Sequence, residues 1–376
     1  MTKEHLIPFL ENGFVEISRS QGCYLFDPEG NQYLDLESGI WCVNLGHNHI
    51  RINKAITRQL NTVFHLGYQV GNKLPGNLSE ELLHRLKLYD GKSVFLSSGS
   101  EAVELAIVLA RKISGRKKIC KLDNSYLSAF GFGSVSEHVK YQQNIPNNDY
   151  TKLVACNFRD MAAFVFEPGT AGGTIRFPSV EFISALVSKA RNAGCLIIVD
   201  EVTTGMGRTG KWFGFEHYNI TPDIVVCGKG LGNGYPISSV SVSKEMSKEF
   251  DRISFRYAQS HQNDPMGCAI GLAVINEIEK KGLLHICDEK GILFKELLKE
   301  VMNNQNRIHE IRGRGLMLAI EFQDAADTVR IHQSLLENRI ITGLKGATIR
   351  LMPPLVINQQ DIHPFVEKLN SILSEA

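Results

Sequence analysis

Between residues 93 and 243 the chain alternates short, almost wholly apolar runs with longer segments whose apolar residues recur every three or four positions. KSVFLSS, KKICKL, AAFVFEP, CLIIVDEV and DIVVCGK are of the first kind; EAVELAIVLARK and VEFISALVSKARNAG are of the second. In EAVELAIVLARK, Ala102, Leu105, Ala106, Leu109 and Ala110 fall on one helical face. Strands this continuously apolar are buried on both sides, which predicts a mostly parallel sheet covered by helices, an α/β core, with PISSVSVS as its last strand. The ends read differently. Residues 14–37 alternate apolar and polar around the turn DPEGN and predict a small antiparallel meander. Beyond residue 275, two helical stretches flank the short strands LMLAIEF and TIRLMPPLVI, a second α+β lobe. The expected division is a small domain assembled from residues 1–45 and 276–376 around a large domain of residues 46–275. The polar stretch 138–152 is expected to be a surface loop, and no internal repeat is visible.

Composition narrows the ligand class. With 22% charged residues and a formal net charge of +1, nothing favours nucleic acid or an anionic membrane as partner. A small molecule bound between the lobes is the expectation. No segment reaches the ~18 to 20 uninterrupted apolar residues of a membrane span, and MTKEHLIPFLENG lacks a signal-peptide pattern, so a cytoplasmic protein is expected. The eight cysteines form no C-x-x-C pair, and Cys120, Cys195 and Cys227 sit in apolar runs, as reduced core residues do. His47 and His49 in GHNH have no third ligand nearby, so no metal site is expected.

Ligands of an open parallel sheet bind beyond the carboxyl ends of its strands. Three features stand there. Ser98-Gly99-Ser100 opens a helix after KSVFLSS, where free amides and the helix dipole make an anion site, although an ordinary N-cap reads the same way. Asp200 ends the apolar run CLIIVDEV, a costly place for a carboxylate unless it meets a cation or a protonated partner. Lys229, in PDIVVCGKGLGNGYPISSV, follows a buried strand into a turn of four glycines, where its local readings are a phosphate clamp, a covalent nucleophile or a solvated turn residue. One coenzyme uses all three: pyridoxal phosphate (PLP) has an anionic group, a protonatable ring nitrogen and an aldehyde that a lysine binds as an imine.

The motifs resemble those of the class III PLP-dependent aminotransferases, the ω-amino-acid and acetylornithine type, over nearly the whole chain. The most specific stretch is residues 198–240, IVDEVTTGMGRTGKWFGFEHYNITPDIVVCGKGLGNGYPISSV, supported by LSSGSEAVELA, DPEGNQYLDLESG with NLGH, FEPGTAGG and IRLMPPLVI. The resemblance implies PLP fold type I, a large domain with a mostly parallel seven-stranded sheet and a small domain from both chain ends. By position it implies Lys229 as the coenzyme-binding lysine and Asp200 as the partner of the ring nitrogen. Val202 and Tyr126 would flank the ring, Ser98, Gly99 and Ser100 would cradle the phosphate, and Glu167 and Thr203 would stand near the ring, Thr203 beside its hydroxyl. Ser260 would reach the phosphate of a partner subunit, which implies a homodimer with shared active sites. Arg350 would bind a substrate carboxylate, for which a planar guanidinium is suited, and Trp41 would be either a pocket wall or a packing residue.

Two departures from the family pattern matter. Leu127 and Ser128 replace the usual His-Gly after Tyr126, and the loop 169–173 is short and lacks its acidic residue. In several relatives that acid pairs with the carboxylate-binding arginine. Arg350 is therefore expected to lack a counter-ion, and substrates that keep a carboxylate in the pocket are favoured. The implied reaction moves an amino group from an amino acid or ω-amine donor to a 2-oxo acid, by a ping-pong route. Aminomutases, epimerases and decarboxylases on the same scaffold use the same lysine and aspartate and stay as alternatives. A nucleotide hydrolase is disfavoured: GMGRTGK has the G-x-x-x-x-G-K spacing, but Trp212 stands where Mg²⁺ needs Ser or Thr.

Overall fold

The computed structural model describes residues 15–375 except 68, 135 and 171. Residues 1–14 of the expected N-terminal piece and Ala171 of the short loop lie outside the described residues. Three short strands come first, β1 (Arg19–Gln21), β2 (Tyr24–Phe26) and β3 (Gln32–Asp35), paired antiparallel as the alternation implied. Seven strands follow: β4 (Lys92–Leu96), β5 (Lys118–Leu122), β6 (Gln142–Ile145), β7 (Met161–Phe166), β8 (Leu196–Asp200), β9 (Ile224–Cys227) and β10 (Ser238–Val242). They form one sheet in the order β4-β10-β9-β8-β7-β5-β6. The ladders β5–β6, β5–β7, β7–β8 and β8–β9 are parallel, and β10 runs antiparallel to both β4 and β9.

Alternate residues of these strands feed two cores, because successive side chains point to opposite faces. Val165, Ile198, Val226 and Val240 pack with Ala102, Val103, Ala106, Ile107 and Ala110 of the helix Gly99–Ser114. Phe164, Phe166, Ile197, Val199 and Val225 pack on the other side with Phe182 and Leu186 of the helix Val180–Asn192. Each fully buried large apolar side chain contributes about 1.5–3 kcal/mol relative to an exposed one, so the middle strands are rigid supports for whatever stands at their ends. The helix Gly99–Ser114 starts where the Ser98 hydroxyl accepts from Glu101 N at 3.2 Å and stops at Gly115, whose φ of 69° ends it in a left-handed cap.

The expected surface loop at 138–152 instead contains β6 and the helix Tyr150–Ala155. β6 is an edge strand, paired only with β5, so its outer residues stay solvated and QQNI carries little apolar signal. Beyond the large sheet come β11 (Ile308–Arg314), β12 (Met317–Phe322), β13 (Ile340–Ile341), β14 (Gly343–Lys345) and β15 (Thr348–Leu351). Four of them form an antiparallel sheet, β11-β12-β15-β14, and β13 joins the first three strands by pairing parallel with β3. The two chain ends are thereby stitched together. No helix among the described residues is long and apolar enough to cross a membrane.

Candidate active site

Asp200 and Lys229 stand at the carboxyl ends of neighbouring parallel strands, β8 and β9, with Asp200 in register with Val226. Asp200 is buried, and its Oδ1 accepts from Val202 N at 2.9 Å. Burial raises its pKa, against the lowering effects of that amide and of Lys229. A cation held against this carboxylate would return it to its ionised form. Lys229 is half-buried, with its amine shielded from solvent, which lowers its pKa, and its Nζ donates to Thr203 Oγ1 at 2.7 Å. Its backbone has φ of 39°, a left-handed conformation that a non-glycine residue adopts at a cost and that recurs where geometry serves function.

The turn Ser98-Gly99-Ser100 lies beside them. A Cβ at Gly99 would come within 2.8 Å of Val202 Cγ1, so the absence of a side chain is what lets the helix start approach β8's end. Ser98 O accepts from Ser238 Oγ at 2.7 Å, and Ser100 Oγ accepts from Ala129 N at 3.0 Å, which ties the turn to β10 and to the Tyr126 loop. Tyr126 is 47% exposed, with its amide bonded to Glu167 Oε2 at 3.2 Å. An amide-lined helix start, a buried acid and a half-buried amine are thus brought together at the strand ends. That is the donor set a coenzyme with a phosphate, a basic ring nitrogen and an aldehyde requires, and the residues present fit PLP.

A second wall comes from the N-terminal segment. Residues 38–41 form a single left-handed turn, with φ of 43°, 60°, 55° and 67°. Such a conformation costs about 1–2 kcal/mol for each non-glycine residue, and several contacts hold it. Asp35 accepts from the amides of Glu37 and Gly39 at 2.8 and 3.0 Å and meets His47 Nε2 at 2.7 Å. Ser38 Oγ donates to Met352 O at 2.7 Å. Arg208, fully buried, donates to Ser38 Oγ at 3.1 Å, Asn44 Oδ1 at 2.7 Å, Leu316 O at 3.3 Å and Pro353 O. Burial pushes its guanidinium down to about 10, so it remains charged at neutral pH.

The turn presents Trp41, whose ring centroid lies 4.4 Å from Lys229 Nζ and 5.0 Å from Arg350 Cζ. One indole therefore spans the space between Lys229 and Arg350, and it lies close enough to the Glu37 carboxylate to lower that acid's pKa. The same segment overturns the expectation that Arg350 lacks a counter-ion: Glu37 Oε2 accepts from Arg350 Nη2 at 3.2 Å. The acid missing from the loop 169–173 is supplied by Glu37, which lies 313 positions from Arg350 in sequence. Ser260 is exposed and makes no hydrogen bond to any described residue of this cleft; near it, His65 and His261 bond the two oxygens of Asp264 at 3.0 and 2.9 Å.

The GMGRTGK segment leads to a short 3-10 turn, Gly214–His217. The amides of Gly214 and Phe215 are taken by the Glu201 carboxylate at 2.8 and 2.7 Å, and Arg208 is committed to the Trp41 turn. Nothing there offers a phosphate loop.

Glu37, Asp35 and Arg208 are the site residues that sequence reasoning did not single out. The acid in DLESG, just before a turn rich in small residues, is the signal that could have raised Glu37. The family model described as aminotransferase class-III matches residues 10–150 and 134–373. The acetylornithine aminotransferase of Caldanaerobacter subterraneus subsp. tengcongensis is 33% identical over 398 residues, covering 99% of this chain and 98% of its own. The [LysW]-aminoadipate semialdehyde/glutamate semialdehyde transaminase of Sulfurisphaera tokodaii is 30% identical and covers 93% of this chain and 92% of its own. The crystal structure of acetylornithine aminotransferase from Elizabethkingia anophelis superposes with a TM-score of 0.89 at 26% identity, covering 100% of this chain and 97% of that one. With the large mostly parallel sheet and the smaller sheet at its side, these likenesses settle the family: the chain belongs to the class-III aminotransferases, enzymes that use pyridoxal phosphate to move amino groups.

Proposed function

We infer that Lys229 and Asp200 are the catalytic pair of this aminotransferase, that Ser98, Gly99 and Ser100 hold the coenzyme phosphate, and that Val202 and Tyr126 flank its ring. Lys229 and Asp200 on adjacent strand ends, facing a helix start stripped of its first side chain, are the observation that carries the reading. When bound, PLP supplies a ring that withdraws electrons from the donor carbon and carries the amino group between the two half-reactions. Asp200 keeps the proton on the ring nitrogen, since a buried carboxylate gains most from a cation at hydrogen-bonding distance. Lys229, whose pKa burial lowers, is placed to take a proton from the donor carbon and pass it on rather than put it back, which is general acid–base catalysis. Thr203 orients that amine through its hydroxyl, and Glu167 fixes the Tyr126 loop through the Tyr126 amide. Trp41 walls the substrate side and excludes water. Arg350 takes a substrate carboxylate.

Ser260, exposed on its loop, is assigned to the phosphate site of a partner subunit, so the working unit is a homodimer with sites shared at the interface. Residues 1–45 and 276–376 are assigned to the small domain and 46–275 to the large one, in keeping with β13 joining β3. Eight free cysteines support a cytoplasmic compartment.

The test is substitution of the lysine. Lys229→Ala should retain the coenzyme by absorbance and elemental phosphate yet lose at least a thousandfold in amino transfer to pyruvate or 2-oxoglutarate; turnover within tenfold of wild type would refute the assignment.

A further inference from the structure

The Glu37–Arg350 pair is unusual in how poorly it is made. A guanidinium and a carboxylate bind best as a planar fork, with two parallel contacts near 2.8 Å. Here there is one contact, 3.2 Å from Nη2 to Oε2. Arg350 Nε and Glu37 Oε1 are both buried and make no hydrogen bond of good geometry, although the Trp41 side chain lies close enough to the Glu37 carboxylate to favour its ionised form. They are packed instead against bare backbone: a Cβ at Gly343, which pairs with Arg350 across β14 and β15, would lie 2.5 Å from Arg350 Nε and closer still to Glu37 Oε1. Glu37 is therefore a carboxylate held by one long contact on the arginine that a substrate carboxylate would occupy.

Two anions cannot share that guanidinium in a buried pocket without one being neutralised. Glu37 is 4% exposed, and burial raises its pKa, with Arg350 and the Trp41 side chain opposing the rise and Asp35 adding to it. The charged groups facing it from neighbouring elements are Asp35 on β3, Arg350 on β15, Arg208 beneath the Trp41 turn and, across the indole, Lys229. Asp35 is already bonded to His47 and two amides, and Arg208 to four oxygens, so neither offers Glu37 a replacement partner.

We propose that Glu37 governs carboxylate recognition at Arg350: ionised, it occupies the guanidinium, and a substrate carboxylate binds there as Glu37 takes up one proton from solvent and donates the resulting O–H to the incoming oxygen. The site then takes amines without a carboxylate against an ionised Glu37, and carboxylated substrates against a neutral one. This rests on the reading of Arg350 given under the proposed function.

The experiment is binding of glutarate, an unreactive dicarboxylate, to the holoenzyme between pH 6 and 9, by calorimetry in two buffers of different ionisation enthalpy. In the wild type, affinity should fall by up to tenfold per pH unit on the alkaline side, with net uptake approaching one proton per glutarate bound. Glu37→Gln, which keeps the size and removes the charge, should bind glutarate at least tenfold more tightly at pH 8 and abolish most of the uptake. Arg350→Ala should lose glutarate binding in either background. Failure of glutarate to bind both the wild type and Glu37→Gln, or unchanged binding to Arg350→Ala, overturns the assignment of Arg350. If Arg350→Ala loses binding while Glu37→Gln keeps the wild-type pH slope and proton uptake, the Glu37 proposal alone falls.

Discussion

At position 99 a methyl group would stand 2.8 Å from one Val202 methyl and 3.1 Å from the other, and no neighbour there is a flexible chain end that could move aside cheaply. Gly99→Ala should therefore push Val202 into the space assigned to the coenzyme ring. Alanine's advantage of about 1 kcal/mol over glycine belongs to helix interiors, and at the first position of this helix it does not offset the clash. The expected outcome is a coenzyme dissociation constant raised about tenfold or more, with the coenzyme-free protein destabilised by about 1–3 kcal/mol. Trimming the obstruction in Gly99→Ala/Val202→Ala should recover much of the loss; a titration showing the single variant binding like the wild type would contradict the packing argument. Asp200 and Lys229 were legible in the sequence for a related reason. A charged residue ending a wholly apolar strand is conspicuous, because burying it is expensive and only a ligand or a partner explains it. Glu37 had no such flag: its partner lies 313 residues away, and its neighbours in DLESG read as an ordinary turn.

Among elements, the left-handed turn at residues 38–41 depends most on a single side chain. Arg208 joins that turn to the carbonyls of Leu316 and Pro353, so it couples the N-terminal segment to the segments leading into β12 and out of β15. Arg208→Met would leave Asn44 Oδ1 and two buried carbonyls without their donor, at a cost of about 3 kcal/mol or more. Thermal unfolding of the holoenzyme should shift down by several degrees, and turnover should fall further than stability at the assay temperature accounts for, since Trp41 and Glu37 lose their support. Arg208→Lys should rescue little, because an ammonium has three donors and no fork with which to reach four acceptors. Near-wild-type turnover in either variant would show that the turn holds itself. Element order and the parallel core were readable from apolar periodicity. β6 was not, since an edge strand solvated on one side carries no apolar run, and neither was the strained turn, whose φ values arise from contacts distant in sequence.

For the whole molecule, the decisive matter is whether one chain holds a complete site. Ser260 lies exposed and apart from the Lys229 cleft in hydrogen bonding, and large apolar side chains crowd the surface of residues 40–70: Ile40, Ile50, Leu60, Phe64 and Val70 are all at least half exposed. Apolar exposure gathered in this way marks a surface that another chain covers. If Ser260 serves the phosphate held by the partner's cleft, a carboxylate there should repel it, and Ser260→Asp should bind coenzyme weakly. Mixing then separates the models. A heterodimer of Lys229→Ala and Ser260→Asp chains has one site in which both lesions meet and one in which neither is present. Two nearly inactive proteins, exchanged to equilibrium, should together regain about a quarter of wild-type activity, because half the dimers carry one intact site of two. Sedimentation should give a dimer throughout. Activity that stays at the sum of the separate variants, with subunit exchange verified by mass, would place Ser260 in its own chain's site or in none.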